Sequence, residues 1–340
     1  MSTSKSLRCL IATMCMFSPL LCAAQQAGVN FISFQAVEGM QTFPTSVNDS
    51  ITVAGYYINQ IGATEGFSRN ADGAITTFMV SGSTVTSPVS INAASVIAGN
   101  TNDGFGNFSG FVRYETGSIA TFSPGGKYPG FTYVTGINKE GVIVGDYGAT
   151  DGLPPIHGFI RSVDGTILPF DVPGSDKTQP VAINAAGEIA GIYWFGTGDI
   201  YRGGFVRSAD GDITTYPGIP QGINSEGDIA GYFLLASGFE DGFVRFPKGP
   251  INSFGFASPV FFSQYMGISE DGSIFGNILP PNSQQAFLRS ADGTITPILF
   301  PGASDTTAAS INDSNVITGN YSQGRDVFGF LRIPQADQPQ

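Results

Sequence analysis

The 340 residues carry 27 acidic and 15 basic side chains, a net charge of −12, with 46 glycines, 21 prolines, 28 phenylalanines and 41% hydrophobic residues. That apolar content excludes a disordered chain in spite of the glycine and proline. So acidic a chain repels phosphate backbones and anionic bilayers, which excludes nucleic acid and membrane surfaces as partners.

Residues 1–24 read as a secretory signal peptide. Lys5 and Arg8 form the positive start, Cys9 to Leu21 is a short apolar run, and Cys22-Ala23-Ala24 offers small residues before Gln25. The run is too short to cross a bilayer as a mature helix, so no membrane insertion is expected and the mature protein is placed in the periplasm or outside the cell. All three cysteines lie here, so cleavage leaves no thiol for a disulfide, a metal site or a nucleophile.

From Gln25 onward one unit returns seven times. An apolar run leads to Asn48, Asn92, Asn138, Asn184, Asn224 and Asn312, with Ser269 in the same place in the sixth copy. A glycine follows each of these seven residues later, from Gly55 to Gly319. Between them lies a tight turn, with glycine three residues after the asparagine position at Gly141, Gly187, Gly227 and Gly272, which suits a positive φ. The flanking runs lack helical periodicity and read as strands. A third strand carries Phe-x-Arg, ending at Arg69, Arg113, Arg161, Arg207, Arg245, Arg289 and Arg332. Asp72-Gly73, Asp164-Gly165, Asp210-Gly211 and Asp292-Gly293 then predict two-residue hairpin turns into a fourth strand.

Four short strands recurring without helices predict an all-β fold, a seven-bladed β-propeller with four antiparallel strands per blade. One domain, 25–334, holds blades at about 43–82, 87–126, 132–174, 179–218, 219–258, 263–302 and 307–333, followed by a polar tail at 335–340. The seventh unit stops after its third strand. Residues 29–38 are an orphan fourth strand, and the expectation is that they join the last blade and close the ring, hiding both edges.

The units resemble the bacterial extracellular repeat proteins named for a His-Ala-Phe tripeptide, the HAF-repeat family. The match is carried by Gly136-Ile137-Asn138, Gly141 to Gly145, His157-Gly158-Phe159 and Phe170-Asp171-Val172-Pro173-Gly174. Only one unit keeps the histidine, and Asp171 has no counterpart after Phe122 or Phe300. The resemblance implies secretion or surface exposure and no established activity.

Each arginine follows its phenylalanine two residues on, so both point into the gap between blades. There the guanidinium is expected to satisfy carbonyls or a neighbouring asparagine, with an anion-binding ring as the alternative. The asparagines are expected to bond their own turns. His157 is the only histidine, and no Gly-x-Ser-x-Gly elbow accompanies it, so no catalytic residue is assigned. No cofactor or metal site is assigned either, although calcium stays open at Asn102 to Asn107 and at Glu270-Asp271-Gly272. Long connections in the third and fourth units stand out. The latter carries the only tryptophan and offers Trp194, Phe195, Asp199, Tyr201 and Arg202 as a loop surface for a glycan or an extracellular protein or peptide. The expected function is a monomeric binding or scaffold module. The alternatives are a calcium-assisted propeller enzyme of the polysaccharide lyase or lactone hydrolase type, with its site at the channel mouth, and a purely structural surface protein.

Overall fold

The computed structural model describes residues 28–124, 130–149, 155–196, 201–235, 240–256, 262–279 and 284–335, with the backbone alone at 201–202 and 262–265. The segment read as an export signal, Asp199 and residues 336–340 of the tail fall outside these. Among the described residues every regular element is a strand, and no helix is long and apolar enough to cross a membrane.

The strands follow the repeats. In the third repeat, Gly130–Ile137, Ile143–Ala149, Ile156–Arg161 and Ile167–Phe170 pair antiparallel in chain order. The same order holds in the others, and single parallel pairs such as Thr64↔Val85 and Ile156↔Lys177 join neighbouring repeats into wider sheets. The seventh repeat supplies Asp305–Ile311, Ile317–Gln323 and Asp326–Pro334. Against the last of these lies Val29–Phe34, antiparallel, with Phe34 opposite Gly329. The first strand of the first repeat, Gln41–Val47, packs against all three strands of the seventh.

Two repeated glycines have a steric cause. A Cβ on Gly145 would stand 2.0 Å from the Tyr133 carbonyl oxygen and 2.9 Å from the Phe159 ring, and the other six repeats are equally tight at this place. Glycine there lets the third-strand phenylalanine lie across the second strand, and Phe67, Phe111, Phe159, Phe205, Phe243, Phe287 and Phe330 are all fully buried as a result. The glycine before that phenylalanine makes room for an aromatic ring on the fourth strand, as Gly158 does for Phe170. In the sixth repeat, alanine replaces this glycine at Ala286 and the partner across the strand is Ile298, so both members change together.

The turns correct one expectation. In the Asp-Gly hairpins, Ser162 N–H donates to the Thr166 carbonyl and Gly165 N–H to the Ser162 carbonyl, which encloses three residues, not two. Only the glycine takes a positive φ (91° at Gly165). This is a type I turn closed by a left-handed residue, whereas a two-residue Asp-Gly turn would need positive φ at both positions. The asparagine turns are built the same way, with Gly141, Gly187, Gly227 and Gly272 left-handed and Ile51, Ser95 and Asn315 holding the same conformation in three other repeats.

Candidate functional site

Antiparallel order gives every repeat two ends. The asparagine turns and Asp-Gly turns share one end, the turn end. The second-to-third and fourth-to-first connections share the other, the loop end. A cavity of about 420 Å³ is lined by the first strands of all seven repeats. Its wall mixes hydroxyl groups such as Thr45, Ser90, Thr135 and Ser310 with apolar side chains such as Val89, Val181 and Ala309.

At the turn end the asparagines do more than bond their own turns. Each Oδ1 accepts from a backbone N–H four residues on, as Asn138 does from Val142 at 2.9 Å. Each Nδ2 donates to the carbonyl of the equivalent residue in the next repeat: Asn48 to Asn92, Asn92 to Asn138, Asn138 to Asn184, Asn184 to Asn224, Asn224 to Ser269, and Asn312 to Asn48. Ser269 cannot reach forward in this way. Its hydroxyl instead meets Asn315 Oδ1 at 3.1 Å, while Asn315 Nδ2 donates to Asp271 at 2.7 Å, so the seventh repeat reaches back to the sixth.

The carboxylates at this end are largely occupied by the fold. Glu270 accepts from the backbone and hydroxyl of Ser225, and Asp49 accepts from Asp313 N–H. Burial, then the charges of Asp49 and Glu270, push Asp313 up to about 6. Of the two calcium candidates, Asp103 accepts from Phe105 N–H, Asn107 N–H and Asn107 Nδ2, and Asp271 from Ser269, Ser273 and Asn315. Among the described residues, no three of His, Cys, Asp and Glu stand close enough together to hold a metal ion.

The arginines lie between repeats. Arg69, Arg113, Arg161, Arg207, Arg245 and Arg289 place their guanidinium carbons 4.7–5.2 Å from the ring centroids of Phe34, Phe78, Phe122, Phe170, Tyr216 and Phe254. Each of these rings belongs to the fourth strand of the preceding repeat, and the ring used by Arg69 belongs to Val29–Phe34. Arg332 follows the repeat that carries Ile298 in place of an aromatic residue, and among the described residues no ring stacks on it. Arg69, Arg161, Arg207 and Arg289 also donate to the carbonyl of the next residue in their own turn, not to a neighbouring asparagine. Burial holds Arg69, Arg113 and Arg332 below the ordinary guanidinium value. Arg161→Ala is expected to lower stability by about 1–3 kcal/mol through the lost stacking, stem packing and hydrogen bond. Chemical denaturation measures this, and an unchanged midpoint would refute it.

At the loop end, the predicted aromatic surface is partly strand. Trp194 ends the strand Ile189–Trp194 and pairs with Tyr201, the first residue of Tyr201–Arg207, so the hairpin ladder runs further than the loop reading allowed. Phe195 is exposed beyond it and meets Tyr193 edge-on at 5.5 Å. Asp176 accepts from Gly196 N–H and pins this turn to the preceding connection. Of the five predicted ligand residues, only Trp194 and Phe195 are described with their side chains. His157 Nδ1 lies 2.9 Å from Asp171, so the two residues that distinguish the third repeat form one pair.

Two features escaped the sequence reading. Thr42, Thr86, Thr178 and Thr306 are fully buried and accept from Ala36, Val80, Val172 and Phe300 N–H, pinning the fourth-to-first connections. Their constant place six residues before the asparagine was visible in the sequence. Asn100 and Asn277 each exchange two bonds with the main chain of the next repeat's first strand, at Val134 and Ala308, where that strand bulges. In the third repeat the same place holds Asp146, and the bulge it faces begins at Pro180, which has no N–H to give. Asp146 is 3% exposed, accepts from Gln179 Nε2 at 3.2 Å, and is pushed by burial up to about 7.

No family profile and no curated relative matches the chain. Solved structures do resemble it. A streptogramin B lyase is 13% identical with a TM-score of 0.60, over 90% of this chain and 98% of that one. Virginiamycin B lyase from Staphylococcus aureus is 15% identical with a TM-score of 0.58, over 89% and 98%. The β-propeller domain of the Trilobed protease from Pyrococcus furiosus, described as having an open velcro topology, is 13% identical with a TM-score of 0.62, over 88% and 99%. Identity at this level carries the fold and no activity: the chain is a β-propeller.

Proposed function

We propose that this is an exported, monomeric propeller of the HAF-repeat kind, with seven blades closed by Val29–Phe34 as the fourth strand of the last blade. It acts as a binding or scaffold module whose ligand face is the loop end. Closure is supported by the pairing of Val29–Phe34 with Asp326–Pro334, by the Asn312-to-Asn48 bond and by the stacking of Arg69 on Phe34. Export rests on residues 1–24 as read from the sequence.

One observation carries the binding reading. Of the twelve exposed large hydrophobic side chains among the described residues, eight lie at the loop end: Val37, Ile61, Met79, Phe105, Phe195, Leu234, Leu235 and Leu279. A propeller needs none of them for its core, and apolar surface gathered on one face is the property of a contact surface. The turn end, by contrast, spends its polar groups on holding the repeats together.

The test is a thermal-shift panel of glycans and peptides. A ligand at a hundredfold excess over its Kd adds about 2.7 kcal/mol and raises the melting temperature. The shift is expected to shrink when Phe195 and Ile61 are changed to serine. A panel with no shift at all favours the purely structural reading.

A further inference from the structure

The second-to-third turns of the first two repeats are built to one plan. Asn59 and Asp103 each use Oδ1 to accept from the N–H groups two and four residues on, at Ile61 and Ala63 and at Phe105 and Asn107. Gly62 and Gly106 follow with φ of 81° and 93°. Between the lock and the glycine stands one bulky apolar residue held out into solvent: Ile61 is 89% and Phe105 is 91% exposed. Beside Ile61 a recess of about 350 Å³ opens between Val37, Met40, Tyr57, Asn59 and Gln60. Met79 is exposed on the connection between these two repeats.

The charge around these anchors has one sign. The connections 35–41, 57–65, 79–84 and 102–108 contain Glu38, Glu65 and Asp103 and no Lys, Arg or His. Tyr57 Oη and Asn59 Nδ2 donate to the two oxygens of Glu65, and hydrogen bonds from Asn107 and from backbone N–H groups hold Asp103 below the usual carboxylate range.

We infer that Ile61, Phe105 and the recess at Val37 and Met40 form a docking surface for a polypeptide that presents bulky apolar side chains flanked by lysine or arginine. This rests on the binding reading above and names the partner's chemistry. The rigid turns present the anchors without the ordering cost of a flexible loop. The recess takes one apolar side chain, and the three carboxylates favour a basic rim around it and exclude an acidic one.

Three short synthetic peptides test this: one of leucine, phenylalanine and lysine, one with glutamate for lysine, and one with serine for the apolar residues. Fluorescence anisotropy on the full chain is expected to show binding of the first alone, weakening as salt rises. The double variant Ile61→Ser, Phe105→Ser loses at least about tenfold in affinity, while Val163→Ser, exposed at the turn end of the third repeat, binds as the parent does. Both variants change exposed residues, so each keeps the parent's melting transition. Equal binding by the double variant overturns the inference. So does binding lost in Phe195→Ser but kept in the double variant, which would leave the loop-end reading standing at another sector. A glycan that shifts the melting temperature while no peptide binds also overturns it, as does self-association that disappears in the double variant.

Discussion

A chain lacking Val29–Phe34 is expected to lose the single cooperative melting transition of the intact protein. Its absence bares the edge of Asp326–Pro334 and the first repeat's inner packing at once. Phe34 fills the space left by Gly329, meets Phe67 edge-on at 6.0 Å and lies under Arg69, and Phe31 and Ile32 pack into two separate core clusters. Full burial of one such side chain contributes roughly 1.5–3 kcal/mol, and these three are partly buried, against a total stability of about 5–15 kcal/mol. Phe34→Ala alone is expected to cost about 2–3 kcal/mol, less than a fully buried phenylalanine because Phe34 is only half-buried. Circular dichroism on heating reads both effects. Adding a synthetic Val29–Ala36 peptide to the shortened chain should restore part of the transition, because the strand binds by pairing and not by covalent position. A shortened chain that melts like the parent would refute the role given to this strand.

The second large effect is on pH. The folded state holds the Asp146 proton up to about pH 7 because burial penalises the charge, whereas the unfolded chain releases it at the ordinary carboxylate value. Below about pH 4 both states are protonated and Asp146 carries no penalty. As pH rises from there toward 7, the unfolded state alone gives up its proton, so stability falls by about 1.4 kcal/mol per unit and levels off above that range. Neutral Asp146 also suits its place. A carboxyl O–H can give to a carbonyl on a strand where proline offers no donor, while the other oxygen takes the Gln179 bond. Tyr133, opposite Asp146 across the strand pair, is itself pushed up by burial and by the aspartate's charge, so it stays protonated through this range. Asp146→Asn is therefore expected to be the more stable protein at pH 8 and to hold no advantage at pH 4. Melting curves of the two chains across pH decide it, and parallel curves would sink the assignment.

The sequence made the strands and repeats legible because their causes are local. A glycine where the third-strand phenylalanine must cross, and another where a fourth-strand ring must lie, recur in register with the asparagines. The orphan strand at 29–38 was legible because the seventh unit stops after its third strand. What sequence alone could not reach was the next repeat. The asparagine's second bond, the stacking of each arginine on the preceding repeat's ring and the Asp146–Pro180 junction involve residues some 30 to 46 positions apart in the chain, and 264 apart for Asn312 and Asn48. The Asp-Gly dipeptide misled because it suits both turn lengths, and the choice falls to the twist of the strands it joins. The loop surface at Trp194 was found by composition, which marks an unusual stretch without telling strand from loop. Ile61 and Phe105 gave no such signal, because one exposed apolar residue in a short turn looks ordinary until two identical turns stand side by side.

The asparagine turns carry a consequence for how many repeats the protein can have. Each asparagine gives forward from its side-chain amide to the main-chain carbonyl of the next turn, so in the closed ring proposed above these bonds run in one rotational sense, interrupted only at Ser269, whose hydroxyl meets Asn315. The forward bonds start at Asn312, cross to Asn48 and end at Ser269. Opening the chain at a different fourth-to-first connection, with the present ends joined, would reproduce the same series. Leaving one repeat out would not, because the two turns then made neighbours would have to meet across a gap that a hydrogen bond of about 3 Å cannot span. In the closed ring proposed above, the repeat count is thus a property of the whole series and of no single repeat.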